Sequence, residues 1–378
     1  MKFSDNHLHL VSFDVPWPAD YGGVIDVFGK LKAMNALGAK VHLHCFQYGR
    51  KESDVLQHLS HSVNYYPRNE SRTLLFNRLP YIVVSRANED LLTNLSADDH
   101  PVLFEGLHTS YFLSDPSLAH KRRIVRAHNV EHEYYKQLAR HERNFARRYF
   151  FNAESAKLLK YEKVLAGASA VAAISENENN HFNSHYHNSF LLPAFHLHDK
   201  VNSVTGKGHF ALYHANLSVN DNVEAAEFLM NEVFNDLNIP LIIAGQNPTD
   251  DVKQLFTKPT IHKLIADPSA EQMEELVRNA HVQVLPAFSV SGIRLKLLHS
   301  LFNGRFCLVN PMMTANTGLE SLCIHAETAD DFKKRISEVF RIELKQSEID
   351  RRQRLLNELY SNNKNAELLL NRLFDING

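Results

Sequence analysis

Apolar and polar positions switch between two periods along this chain, and each switch marks an element. Val282–Leu285 is a short apolar run that Pro286 ends. Leu295, Leu298, Leu301 and Phe302 then recur at the spacing of one helical face. Ser289 or Ser291 is suited to cap that helix, Asn303-Gly304 stops it, and Phe306–Val309 resumes an apolar run. The chain opens in the same way. His7–Phe13 reads as a strand and runs into Asp14 to Gly23, with a glycine pair at Gly22-Gly23. Val24, Val27, Phe28, Leu31, Met34 and Leu37 then predict a helix that Gly38 ends, and Lys40–Phe46 is the second strand.

The same alternation continues with less contrast. Val63–Tyr66 reads as a strand and Arg86–Leu95 as a helix. Pro101–Phe104, Arg123–Ala127, Ser169–Ile174 and Phe190–Leu192 read as strands, and Glu131 to Ala166 as two helices or one long bent one. Pro193 to Gly208 is polar, holds Pro and Gly and shows no period, so the domain boundary is placed there, between domains at 1–195 and 205–360. Beyond it come strands at Phe210–Tyr213, Leu241–Ala244, Ile261–Ala266 and Leu322–His325, a helix reaching Phe234 and a helical tail from Ser347 to Phe374. Strands alternating with helices predict the α/β class, with two doubly wound, Rossmann-like parallel sheets. Two such halves imply a cleft between them, the usual place for a ligand. The dinucleotide pattern GxGxxG is absent.

Composition narrows the function. A formal net charge of −2 over 378 residues argues against a dedicated nucleic-acid binder. The 23 histidines are spread along the sequence and read as surface or core polar groups. Cys45, Cys307 and Cys323 are odd in number and far apart, which suits buried, reduced thiols of a cytoplasmic protein. No apolar run reaches the roughly 18 residues of a membrane span, and MKFSDNHLHLVSFD lacks a signal-peptide core.

Candidate chemistry gathers in loops after strands. Arg294 and Lys296 are read into the first turn of their helix, where the dipole and free N–H groups repel cations. Cations at that end, beside Gly292, suit a bound phosphate, while the competing reading is two solvated side chains. Gly22 and Gly23 would let backbone N–H groups approach a ligand. His108 follows the strand Pro101–Phe104 in Glu105-Gly106-Leu107-His108-Thr109, with a satisfied core histidine as its alternative. His128-Asn129-Val130-Glu131-His132-Glu133 invites a metal reading, but it is not HExxH and shows no third ligand, so no metal site is assigned. Lys136, Arg140, Arg143, Arg147 and Arg148, followed by Tyr149-Phe150-Phe151, form a basic and aromatic stretch. It either rests on an anionic membrane, as a peripheral contact on the inner face, or is a solvated helix flank with aromatics in the core.

Taken together, PWPADYGG (Pro16–Gly23), RAHNVEHE (Arg126–Glu133), AAISE (Ala172–Glu176), ALYHANLSVNDN (Ala211–Asn222) and SGIRLKLLHSLFNG (Ser291–Gly304) resemble the family 4 glycosyltransferases of the GT-B fold found in bacterial polysaccharide synthesis. These pieces span both halves in the family's order. The resemblance implies a nucleotide-diphosphate sugar donor held mainly by the second half and a glycan or lipid-linked saccharide acceptor held mainly by the first. It implies a retaining hexosyl transfer without an obligatory metal or other cofactor. It also implies that the last helix, about 362–378, crosses back onto the first domain. Carried over residue by residue, Arg294 and Lys296 clamp the diphosphate, and Gly22 and Gly23 face the donor phosphates or the transferred sugar. His108 lies near the sugar, Asn216 and Ser218 belong to the turn beside the phosphates, and Glu320 approaches the ribose. Tyr21, His128, Asn129 and Glu131 fall on the acceptor side. The sequence departs from the family where Ser291 and His299 replace two glutamates. Two other readings remain open: a sugar-nucleotide epimerase or hydrolase on the same fold, and a catalytically degenerate binding module.

Overall fold

The computed structural model describes residues 2–142, 144–288 and 294–376. The chain forms two compact units, Met1–Leu197 with Tyr360–Gly378, and His198–Leu359.

The first unit is built on seven parallel strands: β1 (His7–Ser12), β2 (Lys40–Gln47), β3 (Ser62–Pro67), β4 (Val102–Glu105), β5 (Arg123–Ala127), β6 (Ala170–Ala173) and β7 (Ser189–Leu191). They lie in the order β3-β2-β1-β4-β5-β6-β7. Chain order therefore reverses between β1 and β4, the place where loops leave in opposite directions and open a crevice at the strands' C-terminal ends. Apolar residues cover both faces, as a parallel sheet requires. One layer joins Leu8, Leu10 and Leu43 to Val27, Leu31 and Met34 of the helix Gly22–Ala36. The other joins Val11, Phe104 and Val125 to Leu158 and Phe182. The helix Asn362–Leu373 belongs to this unit: Ala366, Leu369, Leu370 and Leu373 enter the first layer. Ser361 caps it by accepting the Lys364 N–H.

The second unit has six parallel strands: β8 (Ala211–His214), β9 (Leu241–Gly245), β10 (Lys263–Ala266), β11 (Val282–Leu285), β12 (Phe306–Val309) and β13 (Ile324–His325). Their order, β10-β9-β8-β11-β12-β13, reverses between β8 and β11.

Several elements differ from the periodic reading, each for a local reason. The helix expected over Arg86–Leu95 is Glu89–Leu95, because the Asn88 side chain caps the N–H groups of Asp90 and Leu91. Glu131 to Ala166 divides into the helices Glu131–His141 and Phe145–Tyr161, the second capped by Asn144 through the Arg147 N–H at 3.1 Å. The strand expected at Leu322–His325 shortens, because the Glu320 carbonyl accepts the Cys323 N–H and closes a tight turn. Nor are the histidines spread out in space: His7, His9, His42, His44, His61 and His100 gather around the N-terminal ends of β1, β2, β3 and β4.

Under the β1/β4 reversal lies a buried charge network. Asp26, on the helix Gly22–Ala36, accepts from Lys30 at 3.1 Å, from Arg126 at 3.0 and 3.2 Å, and from the Phe195 N–H at 2.8 Å. Lys30 also donates to Glu105 at 2.5 Å, and His128 bonds the second Glu105 oxygen at 3.0 Å. Arg126 donates to the Leu192 carbonyl as well. Burial would raise the Asp26 carboxyl, but Arg126 and Lys30 overcome it and hold it below the usual carboxylate range. Deleting one partner strands the others in a medium that cannot solvate them. Asp26→Ala is therefore expected to cost about 3–5 kcal/mol in urea unfolding. A loss under about 1 kcal/mol, the worth of an exposed pair, would mean that the network does not hold the unit together.

Candidate active site

In the first unit, the loops after β1, β4 and β5 bring the sequence-derived residues to one end of the sheet. Gly22 and Gly23 are the first two residues of their helix, so their N–H groups have no intrahelical carbonyl. A Cβ at Gly23 would lie 2.6 Å from the Phe13 ring, so glycine here is also a packing requirement. Tyr21, at the N-cap, donates its hydroxyl to Asp14 at 2.9 Å, with the Arg50 guanidinium 5.0 Å from its ring centre.

His108 sits in the tight turn Leu107–Phe112, entered through Gly106 at φ 70°. Only glycine meets both demands there: the left-handed backbone, and a position where a Cβ would lie 2.9 Å from His108 Nδ1. The His108 ring packs 5.5 Å from the Phe13 ring, and its Nδ1 lies 3.9 Å from Glu131 Oε1. That Nδ1 is buried and has no hydrogen-bond partner among the described residues. Burial, with Arg86 nearby, pushes His108 well below the ordinary histidine range. Burial also pushes the Glu131 carboxyl up to about 8, Glu162 adding to the rise and a hydrogen bond from Asn129 opposing it. At pH 7 a neutral imidazole thus faces a protonated carboxylic acid. Titratable groups perturbed by burial in this way cluster at functional sites.

The residues of HNVEHE separate. His128 is drawn into the charge network and packs edge-on to Phe13 at 5.7 Å. Glu131 faces His108. His132 turns to Glu162, bonding Oε2 at 3.0 Å, while His181 takes Oε1 at 2.8 Å. The side chains of this stretch therefore serve three different groups.

In the second unit, Arg294 is not in the first turn of its helix. The helix is Leu295–Asn303, and the Arg294 carbonyl accepts the Leu297 and Leu298 N–H groups, which makes Arg294 the N-cap. Its guanidinium reaches the Met312 carbonyl at 3.4 Å. Lys296, in the first turn, donates to Asn222 Oδ1 at 3.1 Å, with its ammonium 5.6 Å from the Tyr213 ring centre. Burial lowers it to about 8, with Arg294 adding to the effect. Among the described residues it makes no ion pair with a carboxylate. Asn222 ties it to the turn that the resemblance places beside the phosphates, because Asn222 Nδ2 donates to the Asn216 carbonyl at 2.9 Å. Asn216 Oδ1 in turn accepts the Ser218 N–H at 3.1 Å and hydroxyl at 2.8 Å. These loops leave β8 and β11, the strands flanking the second reversal.

His299 lies one turn along from Lys296. Its Nδ1 meets His198 Nε2 at 3.2 Å, and burial lowers it to about 4. Its Nε2 is buried and has no hydrogen-bond partner among the described residues. Glu320 is exposed, and its carbonyl accepts from the Cys323 N–H and from His325, each at 3.1 Å. Gly292 and Ser291 lie outside the described residues, as does Ser289.

The sequence reading passed over Phe13, Asp14, Arg86, Tyr213 and Asn222. Arg86 is buried and donates to the Phe13 carbonyl at 2.9 Å and the Ile82 carbonyl at 2.6 Å. The available signal was an arginine or aspartate inside an apolar stretch, since buried charges require partners.

No protein-family model matches the chain. An uncharacterized 44.6 kDa protein in the cps region of Klebsiella pneumoniae is 24% identical over 330 residues, covering 82% of this chain and 84% of that protein. Among solved structures, a glycosyltransferase from Rickettsia africae matches with TM-score 0.63 at 12% identity, over 99% of each chain. The N-terminal domain of Candida albicans trehalose-6-phosphate phosphatase matches with TM-score 0.64 at 12% identity, over 100% of this chain and 98% of that one. Arabidopsis thaliana UGT89C1 complexed with UDP matches with TM-score 0.59 at 13% identity, over 98% and 100%. At these identities the likeness shows the fold: two doubly wound α/β units, GT-B.

Glu131 generates a pH test. Its carboxyl titrates at about 8 when folded, against an ordinary value of 4.5. Between those values the folded state holds a proton that the unfolded state has lost, so stability falls as pH rises. The slope contributed is at most about 1.4 kcal/mol per pH unit. Glu131→Gln removes it. The variant's advantage should grow from about pH 5 to 8 and vanish at lower pH, as read by urea unfolding at each pH. Parallel curves for the two proteins would mean an ordinary carboxyl at Glu131.

Proposed function

We propose that this chain is a glycosyltransferase that moves a hexosyl group from a nucleotide-diphosphate sugar to a glycan or lipid-linked saccharide. We place it in family 4, with retention of configuration and without an obligatory metal. The observation that carries this reading is the Arg294–Lys296 pair at a helix N-terminus. Among the described residues, buried Lys296 meets an amide oxygen and a ring face but no carboxylate at ion-pair distance. A diphosphate supplies the missing anion, and the open N–H groups of the helix add to its binding. Negative charge on the departing diphosphate grows in the transition state, so the same groups lower the barrier. His299 Nε2 offers a hydrogen bond to a donor hydroxyl. His108, neutral and beside protonated Glu131, suits hydrogen bonding to the transferred sugar or the acceptor, with Tyr21, Asn129 and His128 on the acceptor side. The GT-B fold and the cps-region relative support the reading.

We also propose a cytoplasmic setting, which suits the free thiols of Cys45, Cys307 and Cys323, with peripheral contact to the inner membrane face. No helix among the described residues is long and apolar enough to cross a membrane. Phe145 and Tyr149, however, are 74% and 71% exposed, on a helix that also carries Arg147 and Arg148. Such a surface can insert rings between anionic headgroups. Vesicles containing an anionic lipid should pull down the protein, and Phe145→Ser with Tyr149→Ser should release it. Equal binding by that variant would remove the membrane contact from this proposal.

The clamp is tested by calorimetry with UDP. Arg294→Ala and Lys296→Ala should each weaken binding roughly ten- to a hundredfold, as a lost charge-assisted contact does. Affinity should also fall as pH rises through about 8, where Lys296 gives up its proton. Lys296→Arg should flatten that pH dependence. Unchanged affinity in both alanine variants would overturn the reading.

His108→Ala should lower turnover with a donor panel by roughly tenfold or more with little change in melting temperature. A large loss of stability with normal turnover would return His108 to the fold. Diphosphate binding without any turnover would identify a binding module instead of a transferase.

A further inference from the structure

The histidine cluster at the other end of the first sheet is unused by the function proposed above. Four neighbouring strands deliver one histidine each at their N-terminal ends: His61 just before β3, His42 in β2, His7 in β1 and His100 just before β4. His9 pairs with His42 in the β1–β2 register, so His7, His9, His42 and His44 project from one face.

These residues form two rows with different chemistry. The inner row is a closed relay. Tyr66 donates its hydroxyl to His44 Nδ1 at 2.8 Å, His44 Nε2 meets His9 Nδ1 at 2.9 Å, and His9 Nε2 reaches Asp98 at 3.0 Å. Lys121 closes the far end on Asp98 at 3.1 Å. Each of these ring nitrogens has a partner, and the row belongs to the fold.

The outer row is arranged differently. His7 Nδ1 and His42 Nε2 face each other at 3.0 Å. His100 stacks on both rings, 4.9 Å from His7 and 5.6 Å from His42. His61 packs edge-on to the same two rings, 4.9 Å from each. One ligand nitrogen from each of His7, His42 and His100 falls within 4.8 Å of the others, and all three side chains are partly exposed. Zinc–imidazole bonds of about 2.0–2.1 Å place tetrahedral ligands about 3.3 Å apart, so small rotations of side chains held on rigid strands close the set. Ser62 Oγ bonds His42 Nδ1 at 2.9 Å, the kind of outer partner that fixes which ring nitrogen faces a metal. The helices Gly22–Ala36 and Glu89–Leu95 run toward this end of the sheet, and their carbonyl ends favour a cation. Lys40 opposes it, while the Asp98 carboxylate favours it.

Two other groups carry similar residue types and are less suited. At Glu162, the histidines His132 and His181, with Tyr186, already occupy both carboxylate oxygens. Asp26, Glu105 and His128 hold two cations, Lys30 and Arg126, in their midst.

We propose that His7, His42 and His100 bind a divalent transition-metal ion of the zinc class, with His61 or water as the fourth ligand. The ion would pin β1, β2 and β4 together at the end of the sheet away from the candidate active site. Three imidazoles select zinc, copper or nickel over magnesium and calcium.

The test uses the full chain without a purification tag, stripped with a chelator. Zn²⁺ should raise the melting temperature and Mg²⁺ should not. Co²⁺ should give the visible absorption of a tetrahedral nitrogen site. His100, which precedes its strand, can be replaced with little risk to folding. His100→Ala and His42→Ala should each weaken Zn²⁺ binding by about tenfold or more, while His181→Ala leaves it unchanged. Circular dichroism of the metal-free variants checks that they fold. Unchanged Zn²⁺ affinity in folded His100→Ala overturns the proposal, as does loss of binding in His181→Ala, which would place the ion at Glu162.

Discussion

The first unit depends on where Asp26 finds its counter-charges. A carboxylate in an apolar interior is tolerated only when nearly every lone pair is engaged. Asp26 meets that demand with a helix neighbour, Lys30, with β5 through Arg126, and with the chain leaving β7 through the Phe195 N–H. Lys30 brings in β4 by way of Glu105. One acid therefore fixes a helix, two strands and the exit segment at the point where strand order reverses. Gly23 lies in the first turn of that helix, and the turn that carries His108 and the helix that begins at Glu131 follow those strands. Their geometry follows from the network beneath them, although none of them belongs to it.

The charge network around Asp26 and the Lys296 site treat their cations differently. In the first, the cations Lys30 and Arg126 are paired with Asp26 and Glu105. In the second, Lys296 is lowered by burial and by Arg294 and finds an amide, not a carboxylate. Asp221, next to its partner Asn222 in sequence, favours the Lys296 charge from a distance, with no direct ion pair between the two among the described residues. An internal ion pair would have stabilised the empty unit and competed with any incoming anion. Leaving the lysine on Asn222 keeps it positioned and available.

Much of this architecture was legible in the sequence because burial imposes a period. The strands Arg123–Ala127, Val282–Leu285 and Phe306–Val309 match the structure residue for residue, since each is an apolar run bounded by polar or turn residues. Helix starts were less legible. Asn88 and Asn144 act as caps through side-chain bonds that a hydrophobic pattern does not register. Arg294 was misplaced by one position: its carbonyl accepts the Leu297 and Leu298 N–H groups, so the helix begins at Leu295, the first apolar position of the stripe, and Arg294 is its cap. The histidines were hardest to read. His7, His42, His61 and His100 are far apart in sequence, and only strand order makes them neighbours.

The departures from the family pattern acquire a physical sense from the protonation states. A glutamate in place of His299 would add an anion one turn along from Lys296. His299 is instead held neutral by burial, with its Nδ1 on His198. Glu131 in the first unit is likewise held as the neutral acid, beside an uncharged His108. Each unit's candidate group thus presents hydrogen-bonding atoms without negative charge near neutral pH, and the second adds two cations. For a ligand that carries a diphosphate, this arrangement removes like-charge repulsion while keeping directional contacts for hydroxyl groups. A glutamate binds a sugar hydroxyl more strongly but opposes the phosphates beside it. Histidine gives up part of the first interaction and relieves the second. On the proposed transferase reading, the exchange at His299 would shift recognition from the sugar and ribose hydroxyls toward the diphosphate, beside a lysine that meets no carboxylate among the described residues.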